Sequence, residues 1–284
     1  MSNASAAAEP IGLGPNRVDR SERRRRFLDL VWIAATTEFR RRYAESVLGY
    51  AWLVLQPLML FGVLYLVFTR VIRFGGQIPD YAAMLLLNIV FFYFFREATT
   101  SAMRSFVARG SIVRSVRVPP LAIPLSAILA VSFIFATNLV VGFGWVIALG
   151  VSPRLSWLLL PVLVLYLVAL VTVLGIVLAA SFARLRDVGM AWLPVLRLLF
   201  YASPVVFPFE LIPKGFLRDV AAINPLSPLF VELRTWVIDP AAPHWPEAAG
   251  STFATLAPFV SFALICVATF FAYRGTHGRI AERL

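Results

Sequence analysis

Only one lysine occurs in the 284 residues, Lys214, and it stands between Pro213 and Gly215. A phosphate-binding P-loop needs GxxxxGK followed by Ser or Thr, because its backbone amides and its lysine hold the phosphates together. The chain has no such run, so any energy drawn from ATP would come from a separate subunit. The one cysteine, Cys266, lies in a hydrophobic stretch. No intrachain disulfide can form, and the thiol reads as a small apolar side chain. The two histidines, His244 and His277, fall on opposite sides of the expected membrane topology, so a shared metal site is not expected, and no Ser-His-Asp set is expected either. The acids Glu97 and Asp187, candidates for a membrane-embedded transferase, are explained as partners for nearby arginines. No catalytic residue and no metal ligand is assigned. Charge as a whole is scarce. Charged residues make up 14% of the chain and hydrophobic ones 60%, against about 25% charged in ordinary soluble domains. A water-soluble core of this length could not hide that much apolar surface. The first 45 residues hold no apolar core followed by a small-residue cleavage site, so no secretory signal is expected.

What is abundant is uninterrupted apolar sequence. Ser46 to Thr69 runs for 24 residues without a formal charge, directly after Arg40, Arg41 and Arg42; about 20 such residues cross a bilayer as a helix. Further spans are expected from Tyr81 past Phe95 toward Met103, at about Leu121–Leu149, at Leu155–Ala183, from near Val188 until Pro204, and within Ala248–Tyr273. Six spans put both termini on one side. Of the 26 basic residues, 18 fall on the side of the termini and six on the other, with Arg96 and Arg197 inside spans. That bias places both termini in the cytoplasm. It also accounts for the net charge of +11 through head groups at cytoplasmic helix ends, so nucleic acid is not expected as a partner.

Three segments outside the spans stand out. Residues 1–22 are rich in Ala, Gly, Pro and Ser and are expected to be disordered. In residues 23–45, Phe27, Val31, Ala35, Phe39 and Tyr43 recur at i+4 with Leu28 and Trp32 alongside, one apolar stripe bordered by arginines. Such a helix lies in the interface plane. The short basic loop after the second span, with Arg109, Arg114 and Arg117 around Ile112 and Val113, could insert its apolar pair into a partner's groove. Between spans five and six, prolines 204, 208, 213, 225 and 228 rule out one helix. Two short amphipathic pieces, about Pro213–Ile223 and Pro228–Val237, are expected instead. Irregular backbone enters a bilayer only where protein or water satisfies it.

Charges and aromatics within the spans are the candidates for a transport path. Arg96, Glu97 and Arg197 are costly at membrane depth and would face a bundle interior or a water-filled path. Snorkelling to the interface is the bland alternative for Arg96 and Glu97. The chain has 24 Phe, 8 Tyr and 7 Trp, including the unbroken run Phe91–Phe95. Aromatic faces suit sugar rings, although interfacial belts and packing would take most of them. Tyr65, Phe68, Phe92, Phe95, Tyr201 and Phe207 are the channel candidates by position.

Two stretches carry a family resemblance. Arg42-Tyr43, Ser46, Leu48-Gly49, Trp52, Leu55 and Pro57-Leu58 form the first; Ser203-Pro204, Ile212-Pro213, Asn224-Pro225-Leu226 and Arg234 form the second. From residue 23 on, the chain resembles the membrane subunit of ABC-2 type polysaccharide exporters, the class of O-antigen, capsule, teichoic acid and galactan export. The resemblance implies an all-α membrane protein with six transmembrane helices in residues 46–284, an N-terminal interface helix and re-entrant gate helices between spans five and six. It also implies a homodimer in the cytoplasmic membrane, with two nucleotide-binding ATPase subunits docked on the Arg109–Arg117 loop. The cargo would be a lipid-linked polysaccharide. The chain itself would hold no cofactor; ATP and Mg would sit on the partner. Competing expectations are an ABC-2 permease for drugs or small lipids, a lipid-sugar enzyme, and an ion-coupled secondary transporter, for which no inverted repeat is visible between the chain halves.

Overall fold

A computed structural model of the chain describes residues 20–43, 51–73, 75–108 and 119–274. Helix α1, Arg20–Tyr43, begins three residues before the expected interface helix. Its stripe does more than face lipid. Val31 and Ala35 are buried, and the rings of Trp32 and Phe39 approach Phe133 edge-on at 5.4 and 5.8 Å. Leu28 and Ile33 stay exposed. The helix is therefore seated on the bundle by one side of its stripe and offers the other outward.

The bundle is built around α3, Tyr81–Ala108. Every residue from Ala83 to Phe92 is buried, as expected of a helix that is apolar on all sides. Helices α2 (Ala51–Leu66), α4 (Ala122–Ala148) and α5 (Leu160–Arg184) pack on it. α2 continues through a π-helical turn, Val67–Val71, and α5 is preceded by a 3-10 turn, Leu155–Leu159. At the α3–α5 crossing the backbones come close. A Cβ on Gly175 would lie 2.9 Å from the Ala102 Cβ, the small-residue contact that helices in lipid favour. Across α3 and α4, Phe94 stacks on Phe135 at 4.4 Å and Phe91 meets the same ring edge-on at 5.2 Å.

Helix α6, Asp187–Ala202, ends where Ser203 turns extended (φ −92°, ψ 153°). Pro204 imposes this, since the ring of a proline drives the preceding residue out of helical geometry. Beyond the break come α7 (Phe216–Ile223), α8 (Ser227–Leu233), a second π-helical turn (Arg234–Ile238), α9 (Trp245–Ala249) and α10 (Thr252–Arg274). Gly250 stops α9 with φ 73°, a left-handed conformation that glycine adopts freely.

Among the described residues no strand occurs. Five helical segments are long and apolar enough to cross a membrane: Ala51–Val71, Tyr81–Ala108, Ala122–Ala148, Leu155–Arg184 and Thr252–Ala272. The expected fifth span corresponds to α6, whose 16 residues reach about 24 Å and fall short of a hydrocarbon core about 30 Å thick. Among the described residues the protein is all-helical, with five helices of membrane-crossing length and composition.

Candidate functional site

A chamber of about 380 Å³ opens between α2, α3 and α6. It brings together Phe92, Arg96, Glu97, Arg197 and Tyr201, residues drawn from two stretches of sequence a hundred positions apart. The four-residue and three-residue spacing along α3 places Phe92, Tyr93, Arg96 and Thr100 on adjoining faces of one helix. Arg96 donates from Nε and Nη2 to Glu97 Oε1 at 3.2 and 3.1 Å, and its guanidinium lies 4.7 Å over the Tyr93 ring. The Tyr93 hydroxyl donates to Gln56 Oε1 on α2. Arg96 is thus held by a carboxylate and an aromatic face together, the latter an attraction to the ring's electron-rich surface. Arg197, exposed on the opposite wall, makes no ion pair among the described residues.

Two further spaces share walls with this chamber. Toward α1, a polar cavity of about 280 Å³ is bounded by Glu38, Arg41, Ser101 and Arg104, and by Glu97 and Thr100, which also line the chamber. In the other direction, Tyr201 also borders an apolar groove of about 920 Å³ whose walls include Phe68, Phe207, Leu217, Val220 and Ile223. The three spaces follow one another from α1, along α3, to the broken segment.

That segment is held from outside. Asn88, in the N-terminal third of α3, is 1% exposed, and its Nδ2 donates to the carbonyls of Pro204 and Val205 at 3.1 and 3.0 Å. The Tyr81 hydroxyl donates to Val206 O at 3.0 Å. Asn224 Nδ2 reaches Ser203 Oγ at 2.7 Å while its Oδ1 accepts from Leu226 N at 3.0 Å. The Tyr166 hydroxyl caps Pro225 O at 2.7 Å. Side chains of α3 and α5 therefore supply the partners that a helix would have supplied, as buried backbone requires. Arg218 does the same for the next turn. It is 9% exposed and donates to Glu210 O at 2.8 Å and Ile212 O at 2.6 Å. Arg234 bridges Glu210 and Asp239 at 3.2 and 3.4 Å. Among the described residues, no three of His, Cys, Asp and Glu converge as metal ligands would.

The model of the ABC-2 type transporter family matches residues 29–236, from α1 to the π-helical turn after α8. The chain belongs to the ABC-2 type transporter family. Two O-antigen export system permease proteins RfbA of Klebsiella pneumoniae are each 27% identical over 207 residues, covering 72% of this chain and 79% of theirs. An O-antigen export system permease protein RfbA of Myxococcus xanthus is 28% identical over 195 residues, covering 68% and 74%. The matched region of this ABC-2 protein contains all of the chamber, and it identifies the chain as a transport protein of a membrane.

Not every expected residue of the ABC-2 protein lines these spaces. Phe68 and Phe207 border the groove with Tyr201. Phe95 is 2% exposed in the packed core, and Tyr65 stacks on Phe61 at 5.6 Å on the open side of α2. The expected docking residues Arg109, Ile112, Val113, Arg114 and Arg117 lie outside the described residues. Sequence reasoning passed over Gln56, Tyr93, Thr100 and Asn88. Gln56 and Asn88 had a visible signal, an uncharged amide inside an otherwise apolar run.

Proposed function

We propose that this chain is the transmembrane subunit of an ATP-driven exporter that moves a lipid-linked polysaccharide outward across the cytoplasmic membrane. Its strongest support is similarity to O-antigen export permeases over most of both chains. The row of three wall-sharing spaces, two of them along α3, fits the same activity. Arg96 and Arg197 offer contacts for an anionic group, and Phe92, Tyr93, Tyr201, Phe207 and Phe68 offer successive aromatic faces on which sugar rings can slide.

In this reading α6 and the broken segment after it make a sixth crossing together, α7 and α8 are re-entrant, and both termini are cytoplasmic. The basic-residue bias of 18 to six supports that orientation. Two copies pair through faces left open in the single chain. α2 buries only Leu53 and Pro57, and α6 exposes Leu193, Val195, Leu198 and Tyr201. Two ATPase subunits, carrying ATP and Mg, dock from the cytoplasm on the loop containing Ile112 and Val113. ATP binding and hydrolysis shift the pair between two states, which requires differential contact with each.

The test is complementation of a strain that lacks its own export permease, with surface polysaccharide read by gel and antibody. Export should return only when this chain and its ATPase are both present. Failure with both present, alongside ATP-dependent efflux of a small amphiphile from vesicles, would replace this function with that of a drug or lipid permease.

A further inference from the structure

Two π-helical turns occur among the described residues, and they differ in how they are held. Arg234–Ile238 buries Thr235, Val237 and Ile238. Its Arg234 pairs with Glu210 and Asp239, and Ser156 and Trp157 donate to the carbonyls of Trp236 and Val237. Val67–Val71, at the end of α2, buries none of its residues, and α2 itself buries only Leu53 and Pro57. A π turn holds one residue more than the α-helical turn it replaces, and such turns recur at functional sites. Packing fixes the register of Arg234–Ile238 and does far less for Val67–Val71. The anchor of the latter lies just past its end. Arg73 turns the chain with φ 59°, a left-handed conformation that side chains rarely adopt. Gly75 is then buried between two neighbours. A Cβ there would fall 2.6 Å from Tyr81 Cδ1 and 2.9 Å from Thr69 Cγ2. Tyr81, 4% exposed, thus meets the end of α2 with its ring and the broken segment with its hydroxyl, which donates to Val206 O at 3.0 Å. Phe68 and Ile72 on the α2 side line the same groove as Phe207 and Leu211 on the other.

We propose that the turn Val67–Val71 is a hinge, and that Tyr81 makes the end of α2 and the broken segment move together. If the turn winds to α-helix with no residue lost, the chain beyond it rotates by about 100°. That rotation swings Ile72 out of the groove and draws Gly75 off the Tyr81 ring. The ring, no longer backed by Gly75, gives up its hold on Val206. The α2 end and residues 203–207 then loosen in one step. The proposal rests on the export reading above for the ATP cycle that drives the motion, and adds which backbone turn absorbs it.

The wild-type chain is purified with its ATPase in nanodiscs, and amide hydrogen exchange is followed with and without ATP. Exchange at residues 67–75 and 203–207 should rise together when ATP is added. Opening at 203–207 with 67–75 unchanged overturns the coupling, and no change in either overturns the hinge. Maleimide labelling is then measured in a Cys266→Ala, Val206→Cys background. Tyr81→Phe should raise its rate about threefold to tenfold, the factor of one net hydrogen bond. Gly75→Ala should raise it comparably, although the Gly75 carbonyl is bonded within its own turn, to Ile78 N. In the Tyr81→Phe background Gly75→Ala should add nothing; additive effects overturn Tyr81 as the link. Deleting Val71 leaves an α-helical turn with the flanking chain in place. The deletion variant should keep the wild-type thermal midpoint and slow labelling yet lose export; normal export from it overturns the hinge. Where the deletion variant does not accumulate, the exchange result in the wild-type chain decides. Surface polysaccharide is measured in parallel with the wild-type chain. Joint opening with ATP but without export supports the hinge while removing polysaccharide as the cargo.

Discussion

Replacing Asn88 by leucine separates the two jobs of a buried amide. The side chain is almost fully enclosed, and its Nδ2 is the partner of two carbonyls, Pro204 O and Val205 O, in a stretch without helical hydrogen bonds. Leucine is close in size, so the packing around α3 is largely kept. Each carbonyl left without a partner away from water costs about 1–3 kcal/mol, hence about 2–6 kcal/mol for two. The substitution also removes Asn88 Oδ1, which is itself buried without a partner, and adds apolar contact; together these return about 1–3 kcal/mol. The net expectation is a loss of about 1–3 kcal/mol concentrated at residues 203–207. The control is Asn138→Leu. Asn138 is also buried, but its Nδ2 donates to Ile134 O on its own helix at 3.2 Å. That carbonyl keeps its helical partner, so N138L should cost close to nothing. The assay uses a Cys266→Ala background with cysteine placed at Val206, which is buried beside the break. N88L should raise maleimide labelling of that cysteine, lower the thermal midpoint in detergent and reduce export, while N138L should do none of these. Equal labelling and equal midpoints in the two variants would refute the claim that α3 supplies the missing hydrogen bonds.

Three further substitutions test other contacts. Arg218→Met removes the donors from Glu210 O and Ile212 O and should cost about 1–3 kcal/mol, read as faster proteolysis between Pro208 and Phe216. Gly175→Val should destabilise by about 1–3 kcal/mol through overpacking against Ala102, and Ala102→Gly should restore part of the thermal midpoint in the double variant. Replacing Ile112 and Val113 by aspartate should abolish co-purification with the ATPase while membrane insertion persists; unchanged co-purification would remove the docking role from that loop.

Most helix boundaries were legible because charge and proline mark them. The expectation of Leu121–Leu149 became α4, Ala122–Ala148, and Leu155–Ala183 became the 3-10 turn plus α5. The two pieces expected after the break became α7 and α8. Arg96, Glu97 and Arg197 could be chosen because a charge inside a span has few cheap explanations, and all three line one chamber. Aromatics were harder. Phe91 to Phe95 look alike in sequence, yet four of them are buried against α4, α6 and their neighbours, and only Phe92 among these borders the chamber. A ring's apolar area suits a core and a slide equally well, and the choice depends on which helices surround α3. Asn88 was illegible for a different reason: its partners lie 116 and 117 positions away, and no local pattern encodes a contact of that range.

The carbonyls of Pro204, Val205, Val206 and Pro225 are gripped by three side chains from two different helices, Asn88 and Tyr81 on α3 and Tyr166 on α5, and Asn224 beyond the break holds the Ser203 hydroxyl. A lone fluctuation that frees one grip leaves the others closed, so the stretch yields as a unit or not at all. In the export reading proposed above, a fastening that releases collectively would keep the path closed to ions between transport cycles.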